Sequence, residues 1–383
     1  MEKRGSDNLT AETKAAEGKA QAAGLHAAKD GLSAAANGRR RRERIAAGGF
    51  SPLGTVLLIL LPILMAILAL GIGRIWISPA EVIRCLGKLM GSGAEVEALT
   101  YKTIINIRIP RILLGLLCGA GLSTAGCALQ GFFANPLATP DTIGVASGAS
   151  FGAAFGILIG LNFFGIQLTA FVCGVAAVAL TWLATAGKNN RGPGAMILAG
   201  IMIGSLFSAF VSLVKFMADT ESQLPAITYW LMGSLNIAGY DDILVGAPVI
   251  VTGLVVLMLI RWRLNLLVLS EDELTATGVN VKALRVITIL CAAAMTASVV
   301  AMCGQVGWVG LIVPHICRMK WGSNYMKLVP ASIGIGAAFV VVVDTLARSM
   351  SAAEIPISVL TAIIGAPFFI SLLRSSGRYR YEA

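Results

Sequence analysis

Residues 108 to 160 decide the fold and read RIPRILLGLLCGAGLSTAGCALQGFFANPLATPDTIGVASGASFGAAFGILIG. The stretch opens with Arg108 and Arg111 and continues as an apolar segment. It breaks at Asn135, Pro136 and Pro140, and a second apolar segment follows. A helix needs about 20 apolar residues to cross the hydrocarbon layer of a bilayer. We therefore predict two membrane helices that meet at a corner.

Glycine recurs every four residues in the second segment, at Gly144, Gly148, Gly152, Gly156 and Gly160. Water does not drive helices together inside a membrane, so close backbone approach at small residues is what stabilises a bundle. The spacing predicts a packing seam against another helix.

The composition is that of an integral membrane protein. Hydrophobic residues make up 56% of the chain and charged residues 13%, and the mean hydropathy is +0.80. These values are too apolar for a soluble domain of this length. The sequence predicts an all-α polytopic protein with about ten spans. The expected spans are 53–73, 109–130, 142–160, 166–186, 195–215, 243–262, 284–303, 306–319, 328–347 and 357–373.

The first 50 residues differ from the rest and are predicted to be a disordered, basic cytoplasmic tail ahead of a transmembrane domain at 51–383. A cleaved targeting signal is disfavoured, because a secretory signal has its apolar core directly after a short basic region. The arginine cluster at 39–44 lies next to a membrane span. Such a cluster is typical of an anchor at the lipid surface, and we do not expect nucleic acid as a partner.

The basic residues also predict the orientation. With the tail inside, most of the 30 lysines and arginines lie in inner segments, as the positive-inside rule requires. Ten spans then put both termini in the cytoplasm. The exception is the outer segment 74–111, whose excess of basic residues suggests an acidic partner.

Several kinds of chemistry are not predicted. The seven cysteines never form C-x-x-C and the chain has two histidines, so we expect no metal site. No nucleophile, base and orienting residue form a pattern, so we expect no catalytic residue. The phosphate-binding loop G-x-x-x-x-G-K-[ST] does not occur. We therefore expect no cofactor in this chain, and any ATP and magnesium that power it would have to bind to a separate subunit.

The inner segment 264–284 contains a helix-capping pattern. Ser270 to Glu273 match a capping box, and Gly278 supplies a helix stop. This pattern predicts a short helix outside the bilayer, although the same features also suit an ordinary loop. The residues singled out are Leu269, Ser270, Glu271, Asp272, Glu273, Leu274 and Gly278.

Six positions have further interpretations. Asp344 lies one turn before Arg348, which suggests an ion pair on one helix face. Pro314 and Pro367 are interpreted as corners or hinges. Arg108 and Arg111 at a predicted span end could also reach lipid headgroups.

The motifs resemble the FecCD-like permease subunits of ABC importers for iron chelates and cobalamin. The resemblance rests on R-I-P-R and Q-G-F-F-A-N-P-L-A-T-P-D-T-I-G, and it continues in W-L-M-G-S-L, G-W-V-G-L-I-V-P-H-I-C-R, D-T-L-A-R and E-I-P-I-S-V-L-T-A-I-I-G-A-P-F-F. It covers about 53 to 374.

The resemblance implies an ABC type II importer permease fold in a bacterial or archaeal cytoplasmic membrane. It implies a homodimer, or a heterodimer with a related permease, that binds two copies of the ATPase through the segment 264–284. Family members usually have glycine where this chain has Ser270. The arginines at 108, 111 and 348 match positions that bind glutamates of an extracytoplasmic substrate-binding protein.

The expected cargo is a ferric siderophore, with haem or cobalamin as the alternatives within the family. A secondary transporter or channel would require acidic residues in mid-span, and these are nearly absent from the predicted spans. An intramembrane enzyme would require a paired reactive site in the core, and none is recognisable.

Overall fold

The structure is a computed structural model that describes residues 50–92, 95–186, 193–236, 239–269, 278–351 and 354–378. The predicted tail lies outside the described residues, apart from Phe50. The chain divides into two units at Thr55. The described residues of the first unit, 50–55, lead into helix α1, and the second unit contains the bundle.

The described residues form helices and contain no strand. The helices are α1 (Pro52–Gly71), α2 (Pro79–Leu89), α3 (Ala98–Lys102), α4 (Ile109–Phe132), α5 (Val145–Leu158), α6 (Phe163–Ala184), α7 (Pro193–Met217), α8 (Gln223–Leu231), α9 (Tyr240–Leu264), α10 (Val281–Cys303), α11 (Val309–Trp321), α12 (Tyr325–Met350) and α13 (Ile357–Arg378). Short 3₁₀ turns occupy Pro140–Ile143 and Asn265–Val268.

Seven of the described helical segments are long and apolar enough to cross a membrane. The helices α5 and α13 are shorter apolar segments, and the 13-residue helix α11 lies at the predicted span 306–319. The predicted all-α polytopic fold is confirmed.

Two predicted spans have different bounds. The second does not begin at 109, because α3 continues into α4 through a π-helical turn at Thr103–Arg108. The third was expected to cover 142–160, but α5 has only 14 residues. At 1.5 Å per residue, a helix of that length covers about 21 Å, which is less than the roughly 30 Å hydrocarbon layer.

Helix α4 is the centre of the bundle. Almost all of its residues are buried, and it packs against α9, α10, α11 and α12. A smaller group, α5 to α7, packs together and joins the centre through α10. A helix that is buried on every side can only be surrounded by other helices.

Small residues let the neighbours of α4 approach closely. A Cβ atom on Gly119 would overlap the carbonyl group of Gly336 in α12, and one on Gly126 would overlap that of Gly310 in α11. Ser123 Oγ also donates a hydrogen bond to Ser332 O across the α4–α12 contact, at 2.7 Å. These contacts bring the backbones of three helices together.

The predicted glycine seam is shorter than expected. A Cβ atom on Gly148 would lie 2.6 Å from Cys173 O, and those on Gly152 and Gly156 would meet Thr169. All three glycines therefore face α6. Gly144 faces a different helix, since a Cβ atom there would come 3.2 Å from Gly200 O of α7. The expectation is wrong for Gly160, where a Cβ atom would meet nothing within 4 Å. The φ angles of 77° and 71° at Gly144 and Gly160 bound the helix on either side.

The corner between α4 and α5 contains Asn135, Pro136 and Pro140, at the position that the sequence predicts. Asn135 Oδ1 accepts a hydrogen bond from Leu137 N at 2.9 Å. Pro314 and Pro367 lie inside α11 and α13, which continue past them, so neither residue forms a corner, and a role as hinges stays a prediction.

Between α1 and α4, Ser78 and Glu81 form a capping box at the start of α2. The side chain and backbone of Ser78 donate hydrogen bonds to the Glu81 carboxylate, and these bonds lower the pKa of that carboxyl group. The box therefore stabilises α2 at neutral pH and weakens as the pH falls through this lowered pKa.

We predict that Gly152→Leu separates α5 from α6, because a leucine side chain has no space beside the Thr169 carbonyl. Overpacking of this kind costs about 1–3 kcal/mol or more. Thermal unfolding of the purified protein in detergent should show a lower Tm.

Gly194→Leu is the matched control, since a Cβ atom on Gly194 meets nothing within 4 Å. An unchanged Tm for Gly152→Leu would show that this contact does not hold α5 and α6 together.

Candidate functional site

The three arginines singled out from the sequence lie together at one end of the bundle, which we call the arginine end. Helices α4 and α12 run antiparallel, so the start of one meets the end of the other. Arg108 and Arg111 are each 4% exposed and Arg348 is 7% exposed. All three side chains are therefore largely enclosed by the protein.

Arg111 is held by two carboxylates. Its Nε and Nη2 atoms donate to Asp344 at 2.9–3.0 Å, and its Nη1 atom donates to both Glu354 oxygens at 3.0 Å. Asp344 is 2% exposed, whereas the Glu354 side chain is 26% exposed. One edge of the guanidinium thus binds the buried Asp344, and its Nη1 group binds Glu354 near the surface.

Asp344 was expected to pair with Arg348 on its own helix. The separation between Arg348 Nε and Asp344 Oδ2 is 3.9 Å, while Arg111 Nη2 lies 2.9 Å from Asp344 Oδ1. The main partner of Asp344 therefore comes from α4, because the antiparallel contact offers a planar guanidinium that can bind a carboxylate through two atoms.

Arg108 and Arg348 bind the end of another helix. Arg348 donates to the carbonyl group of Ala69, and Arg108 donates to those of Leu70 and Ile75. The last carbonyl groups of a helix lack partners within it and carry partial negative charge. The two guanidinium groups satisfy carbonyls at and just beyond the end of α1.

Gly73 lies against both of these arginines. A Cβ atom at this position would come within 3.1 Å of Arg108 Nη2 and 3.6 Å of Arg348 Nη1. The chain therefore turns tightly around the two side chains. The guanidinium groups of Arg108 and Arg348 are thus bound to backbone carbonyls of this turn and of the end of α1. The docking role of the three arginines stays a prediction.

The described borders of the predicted ATPase segment lie at the opposite end of the bundle. Ser270 to Leu274 are outside the described residues, and Leu269 and Gly278 border them. Asn265, four residues before Leu269, donates to Asn324 Oδ1 at 3.3 Å and accepts from Tyr325 N at 2.9 Å. These bonds attach the start of the segment to the first turn of α12.

Gly278 has a φ of 69°. This left-handed backbone angle is typical of a glycine at a helix C-terminus. Asn280 follows it and caps α10 by accepting a hydrogen bond from Ala283 N at 3.0 Å. The last residues of the segment therefore begin helix α10 with a side-chain cap.

Sequence reasoning did not find Glu354 or the acceptors at the end of α1. Glu354 has a φ of 51°, which is uncommon for a residue other than glycine, and nothing in its local sequence indicates this. The carbonyl groups of Ala69 and Leu70 are backbone atoms, so residue types could not reveal them.

We predict that Asp344→Ala destabilises the protein by about 3–5 kcal/mol, because it removes the main carboxylate between two buried guanidinium groups. Glu354→Gln should cost only about 0–1 kcal/mol, since that pair is partly exposed to solvent. Unfolding of the detergent-solubilised variants measures both. Equal losses would contradict this ranking of the two acids.

The chain matches known transport proteins along most of its length. Residues 59–375 match the sequence profile of the FecCD transport family. The molybdate import system permease protein MolB of Haemophilus influenzae is 40% identical over 315 residues, which are 82% of this chain and 92% of MolB. The Fe(3+)-citrate import system permease protein YfmE of Bacillus subtilis is 35% identical, over 85% of this chain and 96% of YfmE.

Two further comparisons agree. The cobalamin import system permease protein BtuC of Halobacterium salinarum is 40% identical over 278 residues, 72% of this chain and 74% of BtuC. A solved structure described as an inward-facing metal-chelate type ABC transporter covers 85% of this chain and 100% of its own, with 38% identity and a TM-score of 0.77. With its apolar helical bundle and a family match across residues 59–375, the chain belongs to the FecCD transport family and is a multi-pass membrane permease.

Proposed function

We propose that this permease is the membrane subunit of an ABC importer for a metal compound, and that its cargo is a ferric siderophore. The observation that carries the proposal is the 38% identity, over the whole of the other chain, to a protein described as a metal-chelate type ABC transporter. Relatives named for Fe(3+)-citrate and iron chelatin support iron as the metal.

Molybdate is the second candidate cargo, and a specific observation favours it. The MolB permease is 40% identical and is covered over 92% of its length. Haem and cobalamin follow from the relatives named for them, HmuU and BtuC. Uptake by proteoliposomes that contain the complete transporter, tested with radioactive iron bound to a siderophore and with radioactive molybdate, separates these cargoes. Accumulation of molybdate alone would contradict the siderophore proposal.

A dimer is supported by one surface of α7. Ser205, Ser208 and Ser212 are exposed on this membrane helix, and two of them donate to carbonyl groups one turn earlier. Hydroxyl groups along one face of a membrane helix are more favourable against protein or water than against lipid. We propose that this face lies on the pathway between two permease chains, either identical or related.

We propose that ATP hydrolysis by a separate ATPase, which binds the segment from 264 to 284, drives transport. The support is the position of its described borders at the end of the bundle opposite the arginines, together with the bonds of Asn265 to α12. A contact at one end can then act on helix α12, which extends to the other.

We predict that an ATPase subunit co-purifies with the protein expressed from its native operon. Glu273→Pro should weaken that association or uncouple hydrolysis from uptake, because proline removes a backbone donor from a predicted first helical turn. Glu273→Ala, which removes the same side chain but keeps the backbone donor, is the control. Cargo uptake by the purified permease without any ATPase would support the competing class of secondary transporters.

The docking of a substrate-binding protein to the arginine end can be tested without breaking the buried pair. Arg111 Nη1 is occupied by Glu354, so Glu354→Gln should free it for a partner's carboxylate and strengthen docking several-fold at low salt. Surface electrostatic effects weaken with ionic strength, so the gain should shrink at high salt.

Glu95→Gln makes the same change of charge at an exposed position and serves as the control. Binding of the purified binding protein to the transporter in nanodiscs measures both variants. Identical docking of wild type and Glu354→Gln at low salt would mean that Arg111 is not part of the docking surface.

A further inference from the structure

Irregular backbone lies at membrane depth where α5 and α11 begin. These helices have 14 and 13 residues, so neither crosses the hydrocarbon layer alone. Before them the chain passes through the 3₁₀ turn Pro140–Ile143 and through residues 304–308. Non-helical backbone at such depth is tolerated where it is covered by protein or lines a polar cavity.

A cavity lies between these two breaks. It is lined by residues from both of them, from α4 and from α10, and it has a volume of about 20 Å³. On this measure a single water takes roughly 10–15 Å³. The cavity can therefore hold one water or one ion of similar size, and it is far too small for a metal chelate.

The polar lining consists of oxygen-bearing side chains. Asp141, Thr139, Thr296 and Gln305 contribute a carboxylate, two hydroxyl groups and an amide, and the lining includes no lysine, arginine or histidine. Within the described part of the chain, the Asp141 carboxylate has no hydrogen-bond or ion-pair partner. It is exposed at the mouth of the cavity.

Thr296 provides an independent observation. It is 1% exposed, and its Oγ1 atom has no hydrogen-bond partner among the described residues. Two other buried threonines bond to a carbonyl one turn earlier, Thr181 to Ala177 at 2.9 Å and Thr288 to Leu284 at 2.8 Å. Thr124 in α4 shares the lack of a partner among the described residues, but of the two only Thr296 lines this cavity. Leaving a buried hydroxyl group without a partner destabilises the folded protein, so a bound ligand is a natural partner for Thr296.

The charge of the lining decides the class of ligand. The first turns of α5 and α11, at Ala146 and Gly310, border the cavity, and helix N-termini alone favour anions. The Asp141 carboxylate opposes an anion there. A carboxylate with hydroxyl and amide oxygens is a donor set for hard cations, and one negative charge matches one positive charge.

Trp308 adds evidence that the arrangement is specific. Its φ of 68° is a strained conformation for a bulky residue, and Trp308 lies on the cavity wall at the start of α11. Strain of this kind persists where the surroundings demand it, and it is concentrated at functional sites. Its ring covers Gly365 of α13, which links the cavity wall to that helix.

We propose that this cavity binds a monovalent cation, sodium or potassium, through the Asp141 carboxylate and the Thr296 hydroxyl group. The site goes beyond the proposed importer function, which draws its energy from ATP. The bound ion lies between α4, α5, α10 and α11, where α5 and α11 begin. We therefore expect it to stabilise the packing of these four helices.

The test is thermal unfolding of the full-length protein in detergent, with NaCl, KCl or choline chloride at equal ionic strength. Choline is too large for the cavity. We expect sodium or potassium to raise the Tm by roughly 2–4 °C at saturation relative to choline. Asp141→Asn should abolish this rise, while Asp241→Asn, which changes an exposed carboxylate, should retain it.

Thr296→Val keeps the shape of the side chain and removes the hydroxyl group. It should raise the cation concentration that gives half of the Tm increase by at least about threefold, in line with the loss of one hydrogen-bond-like contact. This variant also tests the site if Asp141→Asn does not fold. A Tm that is the same in all three salts, or a cation effect that survives both substitutions, would overturn the proposal and leave a water in the cavity.

Discussion

The close approach of backbones around helix α4 is the constraint on which the rest of the bundle depends. In a membrane the surroundings are as apolar as the side chains, so helices associate through packing and hydrogen bonds. Gly119 and Gly126 bring α12 and α11 against α4 at distances that any side chain would prevent. Because these contacts involve backbone atoms, they fix the register of the helices as well as their separation.

That register makes the charged cluster possible. The antiparallel contact of α4 with α12 sets Arg111 beside Asp344, and the end of α1 meets Arg108 and Arg348. A buried charge is tolerated only where another charge or several dipoles compensate it. A slip of either helix by one turn would leave guanidinium groups in the bundle without partners, so the cluster also specifies the register. Glu354 closes it on the side nearest solvent.

The two ends of the permease are therefore chemically different. At the arginine end, buried cations are neutralised by acids and carbonyl groups. At the other, neutral amide side chains tie the beginning of the segment at 264–284 to α12. Between them, α5 and α11 start inside the bundle and leave a polar cavity of their own. Long helices give the permease its rigidity, and the short helices supply the places where polar groups can lie at depth.

The sequence by itself determined the membrane class, the helical fold, about ten membrane segments and the family, because hydrophobic runs and motifs are local properties of the chain. It also indicated that Arg108, Arg111 and Arg348 belong together. Only the tertiary structure decided what they bind, since their partners are a carboxylate more than 200 residues away and the backbone carbonyls of α1. For the same reason the glycine spacing predicted five contacts along one seam, and the structure has three with α6 and one, at Gly144, with α7. Gly144 and Gly160 adopt left-handed angles that end α5, and spacing alone cannot reveal a backbone angle. The cavity at Asp141 and Thr296 depends on four helices meeting, so no single stretch of sequence could have shown it.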